Sequence, residues 1–290
     1  LVLSFGFFQQ IGYYSGFYDP FDYVGTHSLF VNFYASFLRI SPGTFANEFG
    51  EILQSCAIFL TAFIFLMKDK LEKKVKLFLW SILVLTIAAL LINFTRIAWL
   101  VYFLYLIALF FITKPALKIK IFIISSILFL GTVLYFINLE TGLLEILPVL
   151  DRFSELSDLS ANTSAGLRWQ TWEESYKLFL ESPFIGNGLG TTIETHNVPL
   201  ELLSETGIIG FCGYSILMFS LFLKFYKMSR VNSGIFLKTV AISITFTFLG
   251  CLIFDLTNHG LYHFILWLTI GLGLATERII RSEGEVRPQT

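Results

Sequence analysis

Residues 168–210 read RWQTWEESYKLFLESPFIGNGLGTTIETHNVPLELLSETGIIG. This stretch is a polar island in an apolar chain. It opens on Arg168, continues as an amphipathic helix pattern, turns through Pro183 and Gly186-Asn187-Gly188-Leu189-Gly190, and reaches His196-Asn197 before a new apolar run. The runs on both sides are apolar enough for a bilayer, so the island marks a large loop at a membrane face.

The bulk composition agrees. Of the 290 residues, 55% are hydrophobic and 14% charged, with mean hydropathy +0.73. Soluble domains carry about a quarter charged residues, so this is a membrane composition. The 33 Phe and 12 Tyr suit lipid-facing helices with aromatic ends. A net charge of −1 leaves no general basic surface, so nucleic acid is not an expected partner. Cys56, Cys212 and Cys251 lie in or beside apolar runs without a CxxC pair, which reads as small buried hydrophobes rather than a disulfide framework or zinc site.

Working outward, full spans are expected at about Ile52–Met67, Leu77–Ile92, Ile97–Thr113, Ile121–Ile137, Gly207–Phe225, Ile235–Phe254 and Leu261–Ala275. Leu1–Ile11 is too short to cross and reads as the end of a partial span. The expected fold is all-α: a polytopic helix bundle with seven full spans plus that partial one. Residues 1–290 form a single membrane domain, expected to be the C-terminal part of a longer protein, with residues 138–206 as one large loop.

Alternate loops differ in charge. Those after spans one, three, five and seven hold all but five of the 20 Lys and Arg, from Lys68 to Arg287. The opposite set holds Arg39, Arg96, Arg152, Arg168 and Lys177. Cytoplasmic loops are rich in Lys and Arg, so the large loop is expected on the periplasmic or exterior side, with the C-terminus cytoplasmic. Four of the five outer cations are Arg, whose planar fork suits phosphate. Helix capping and pairing with nearby Glu would also account for them. Arg96, in a four-residue turn at the bilayer lip, is costly there unless paired or functional.

Inside the loop, Trp169, Trp172, Tyr176 and Phe179 recur at helical spacing, a stripe whose ordinary role is packing. Arg168 stands near the start of that helix, where backbone N–H groups also favour anions. The glycines around Gly188 are read as a turn, or as bare backbone approached by a substrate. His196 is the candidate acid–base group, with Asn197, Glu194 and Glu201 close by. His259 and His263, four apart, could share a metal, but no HExxH motif or third ligand accompanies them. No metal or other cofactor is expected.

The run Arg168-x3-Trp172, Pro183-x2-Gly186-x-Gly188-x-Gly190, His196-Asn197-x2-Leu200, Glu205-x-Gly207-x2-Gly210 resembles the O-antigen ligase and O-antigen polymerase superfamily, bacterial membrane glycosyltransferases. Asn93-Phe94-Thr95-Arg96-Ile97-Ala98 resembles that family's Ser-Arg turn. Arg39-x3-Gly43-Thr44-Phe45-Ala46-Asn47 resembles its upstream Arg–Gly–Asn segment. Thr95 replaces the usual Ser, Ala46 a frequent Pro, and Pro199 a frequent aromatic residue.

The resemblance implies a GT-C-like bundle in the bacterial inner membrane. It implies a donor glycan on undecaprenyl pyrophosphate and, as acceptor, a sugar hydroxyl on a lipid core or another glycan. It assigns Arg96 and Arg168 to the pyrophosphate and His196 to the acceptor proton, with Arg39, Asn197, Glu194 and Gly188 in support. The rival reading is a transporter or flippase for an anionic or lipid-linked solute. That reading calls for charge at mid-membrane, and the spans are nearly free of charge away from their ends.

Overall fold

A computed structural model describes residues 31–34, 37–40, 46–93, 95–112, 164–192, 195–259, 261 and 263–286. The described chain is helical apart from one hairpin. Strands β1 (Val31–Tyr34) and β2 (Phe37–Ile40) pair antiparallel, with Asn32 opposite Arg39. This stretch reads as loop in the sequence. Two β-favouring tetrapeptides separated by two residues form a ribbon instead.

Among the described residues seven helices follow: α1 (Ala46–Leu66), α2 (Lys73–Ile92), α3 (Arg96–Ile112), α4 (Ser164–Glu181), α5 (Val198–Arg230), α6 (Ile235–Phe254) and α7 (Phe264–Val286). Four of them, α1, α2, α5 and α6, are long and apolar enough to cross a membrane. The apolar α3 is shorter, at 17 residues. The expected spans at Ile121–Ile137 and Leu1–Ile11 lie outside the described residues.

Helices α1 and α6 form the centre. Each packs on the other, and between them they touch α2, α3, α5 and α7. Their apolar stretches are more than half buried, whereas those of α2 and α5 are mostly open. Ile216 and Phe219 on α5, and Leu77 and Phe78 on α2, point outward. In water such patches would be a liability, but lipid solvates them. Between the helices, Phe225, Phe248 and Leu266 interlock in one core cluster, and Ile58, Ala89 and Tyr105 in another.

Several boundaries differ from the sequence reading, two of them near the ends of the chain's polar stretches. The last nine residues of the expected loop are helical, because α5 begins at Val198. The expected start at Gly207 survives as a break within α5, where that glycine adopts φ 64° and ψ −171°. At the other end, the polar tail beyond Glu277 continues α7.

The antiparallel run of helices sorts the chain by charge. The Lys68–Lys76 cluster, Lys224, Lys227, Arg230 and Lys238 collect at one end, where Lys224 pairs with Glu277 at 2.8 Å. The turns carrying Arg96, His196 and His259 collect at the other. A cavity of about 560 Å³ lined by Leu66, Phe222, Arg230 and Lys238 opens at the basic end. It contains no imidazole or carboxylate and is remote from the candidate site.

Candidate functional site

The site is built where four segments meet: the start of α4, the 195–201 corner, the turn after α6, and the first turns of α1. Asn197 makes the corner. Its side chain accepts a hydrogen bond from the Leu200 amide at 3.0 Å and caps α5, with Pro199 in the first turn. Its amide donates to the Leu256 carbonyl, and the Val198 amide donates to the Asp255 carbonyl at 2.9 Å. The start of α5 is thereby tied to the turn after α6. Asn197 is thus accounted for as a helix cap and a clamp.

His196 precedes this cap in a left-handed backbone conformation, φ 50°, alone in this among the described non-glycine residues. Such a conformation costs about 1–2 kcal/mol and persists where the surroundings enforce it. Here the enforcement is visible. Thr195 is fully buried, its carbonyl receives the Trp172 indole N–H at 2.7 Å, and its hydroxyl donates to the Asn197 carbonyl. The amphipathic helix therefore grips the histidine loop through Trp172. The aromatic stripe divides: Trp169 and Tyr176 stay exposed, while Ser175 on the opposite face is buried.

The His196 ring lies tilted against that of His259, with centroids 4.4 Å apart. His259 Nδ1 lies 3.3 Å from the Glu201 carboxylate. Burial, then the charge of Arg168, then His259 push the His196 pKa down to about 4, against the opposing pull of Glu201. At neutral pH the ring is therefore neutral and able to accept a proton. Arg168, from the second turn of α4, is close enough for its charge to be felt at this ring.

Arg96 reaches the same end by another route. Thr95 bonds Asn93 side chain to side chain, and the Thr95 carbonyl receives the Ala98 and Trp99 amides of α3. This turn lies flat on α1 at Gly50, where a Cβ would come within 2.6 Å of both Asn93 and Thr95. One position on, Glu51 is fully buried and its carboxylate meets His263 Nδ1 at 2.6 Å. Asn47, one turn earlier, donates to Asn258 at 2.8 Å. Asp255 accepts from Tyr214 at 3.0 Å, and burial raises its pKa to about 7 despite that bond. Strand β2 carries Arg39, seven residues before the first residue of α1. Glu194 lies outside the described residues.

The two histidines of the last turn thus have separate carboxylates, His259 with Glu201 and His263 with Glu51. Among the described residues, no group of three His, Cys, Asp or Glu is placed to hold a metal ion.

The glycine loop is a latch. The Asn187 and Gly188 amides donate to the Ser204 and Glu205 carbonyls, and the Ile208 and Ile209 amides return to Pro183 and Phe184. Gly207 breaks α5 so that the loop backbone can cross it. A Cβ on Gly186 would sit 2.2 Å from Glu205 backbone, and one on Gly207 2.3 Å from Phe184 backbone. Glu205 accepts from the Gly190 amide at 2.9 Å and the Thr192 hydroxyl at 2.7 Å. Gly188 takes part through its amide; a Cβ there would make only an ordinary contact with the Thr191 methyl at 3.8 Å.

Glu51 and Tyr214 are not among the candidates the sequence offers. The available signal for Glu51 is a carboxylate in the first turns of an otherwise apolar helix, which is rarely tolerated without a partner.

Residues 81–215, which carry Arg96, Arg168, the glycine latch and His196, match the family model described as O-antigen ligase. A search of curated proteins found no match. Through this segment, with apolar helices around it, the chain is similar to the O-antigen ligase family.

Proposed function

We propose that the protein moves a glycan from undecaprenyl pyrophosphate to a sugar hydroxyl at the outer leaflet of the bacterial inner membrane, within a GT-C-like bundle. The likeness of residues 81–215 to the O-antigen ligase family supports glycosyl transfer in surface polysaccharide synthesis, from a lipid-linked donor in a membrane. The observation that carries the finer reading is His196, held neutral in a strained corner and feeling the charge of Arg168.

In this reading His196 accepts the proton of the acceptor hydroxyl. The oxygen attacks the anomeric carbon, and the bond to the pyrophosphate oxygen breaks. Arg168 and Arg96 offset the charge gathering on the leaving group, and holding both substrates side by side contributes much of the rate. A lipid donor arrives laterally, which suits a site at the bundle's end. The gathering of basic side chains at the opposite end supports an outward-facing site by the positive-inside rule.

The test is transfer of surface glycan in cells that rely on each variant. His196→Ala and Arg168→Ala are expected to abolish transfer while still inserting into the membrane; unchanged glycan in either would overturn the reading. The lipid-linked material that accumulates separates two outcomes: single repeat units for a polymerase, long unligated chains for a ligase.

A further inference from the structure

Resting on that reading of His196, we infer that His259 and Glu201 form a positioning pair, which fixes the His196 ring and supplies the counter-charge for the imidazolium formed there. His259 lies beyond the segment that matches the family, and Glu201 has so far entered only as its partner.

The geometry is over-determined from both sides. The His196 backbone is pinned by Thr195, under the Trp172 indole, and by the Asn197 cap. What remains free is rotation of the ring about its side-chain bonds. His259 blocks that rotation, with its ring tilted 45° across the His196 ring at 4.4 Å between centroids. His259 is itself placed by the bonds from Asn197 and Val198 into the turn at Asp255 and Leu256. Its Nδ1 faces Glu201 Oε2 at 3.3 Å, and Glu201 is 8% exposed in the first turns of α5. With Glu201 ionised, Nδ1 carries the hydrogen and donates it, which sets the His259 tautomer and plane.

The charges complete the argument. Among the described residues, three charged or titratable groups act on His196: Arg168 from α4, His259 from the turn after α6, and Glu201 from α5. The first two oppose a positive ring; Glu201 favours one. In the transfer step the acceptor O–H bond breaks and its proton moves to the His196 ring nitrogen. The oxygen pair forms the new glycosidic bond, and the old anomeric C–O bond breaks with its pair leaving on pyrophosphate. The new cation forms near Arg168, where Glu201 is the compensating anion, reached through the His259 ring. A carboxylate behind an imidazole base serves the same end in hydrolases, by a direct hydrogen bond. Here a second ring is interposed.

The experiment uses the full chain in proteoliposomes with the undecaprenyl-pyrophosphate-linked oligosaccharide that accumulates in cells lacking the enzyme. His259→Ala and Glu201→Gln are expected to lower kcat about tenfold or more while the donor KM stays within about twofold. His259→Asn, whose amide nitrogen can stand where Nδ1 stands, recovers part of the loss. NMR of histidine-labelled protein reads the His196 titration directly: Glu201→Gln lowers its pKa, and His259→Ala raises it. Normal kcat in both His259→Ala and Glu201→Gln, with His196→Ala inactive, would overturn this inference and leave the reading of His196 standing. An active His196→Ala would overturn both. If His259→Ala fails to insert, the near-isosteric Glu201→Gln decides.

Discussion

The rings of His196 and His259 lie 4.4 Å apart and tilted by 45°, although one belongs to a loop before α5 and the other to the turn after α6. Two imidazoles this close, beside Arg168, disfavour positive charge at His196. The neutral ring is the state the fold maintains, and it is the state that can accept a proton.

The first prediction concerns pH. His196 is held at about 4, below its ordinary 6.5, by burial and then by Arg168. Between those values the unfolded chain binds the proton more readily, so this group's contribution to stability is present above pH 6.5 and is lost as pH falls toward 4. Arg168→Gln removes an opposing charge, so NMR titration of His196 in that variant is expected to move up toward 6.5. An unmoved midpoint would show that burial alone sets it.

The second prediction concerns the latch. Gly207→Ala must place a side chain at φ 64° against the Phe184 backbone. Backbone strain and overpacking together should cost roughly 2–5 kcal/mol. Gly190→Ala, at φ 78° but facing open space, should cost only about 1–2 kcal/mol. Thermal unfolding in detergent compares the two, and equal midpoints would count against the latch.

The third prediction concerns Glu205, whose one oxygen serves the Gly190 amide and the Thr192 hydroxyl. Glu205→Ala should loosen residues 186–192 locally by about 2–3 kcal/mol, with Glu205→Gln milder because it keeps an acceptor. Hydrogen exchange at the Gly190 amide measures this. Unchanged protection in the alanine variant would refute it.

The fourth prediction concerns the buried pair of Glu51 and His263, 2.6 Å apart. Removing His263 leaves a buried carboxylate uncompensated, a loss of about 3–5 kcal/mol. The double variant Glu51→Leu with His263→Phe should recover much of that stability, because neither charge is then buried alone. The yield of folded protein from the three variants is the check.

Much of the fold could be read from the chain alone. Ile235–Phe254 was delimited residue for residue, because the ends of an apolar run coincide with the ends of a membrane helix. The turn from Asn93 to Arg96 was also legible, since turn chemistry is local; Gly207 reads as the start of a span, and the structure places a break inside α5 there instead. The hairpin holding Arg39 was not, because its short strands sit in a region of mixed polarity. Among the candidate residues, Arg168 lies close enough to His196 to lower its pKa. Asn197 proves to be a cap, and the glycines around Gly188 prove to be a latch.

Hydropathy, charge asymmetry and motif spacing are properties of neighbouring residues, and they determined that this chain is a helical membrane protein with a polar island at one face. They could not determine which turns meet. Glu51 and His263 are 212 positions apart, and Glu201 and His259 are 58 apart. A carboxylate in an apolar helix is unfavourable until its partner is brought to it, and only the packing of α1 and α6 with their neighbours does that. The reason is physical: burial raises both the cost of an unpaired charge and the strength of a paired one. The pairings that shape the site therefore exist only in the assembled bundle.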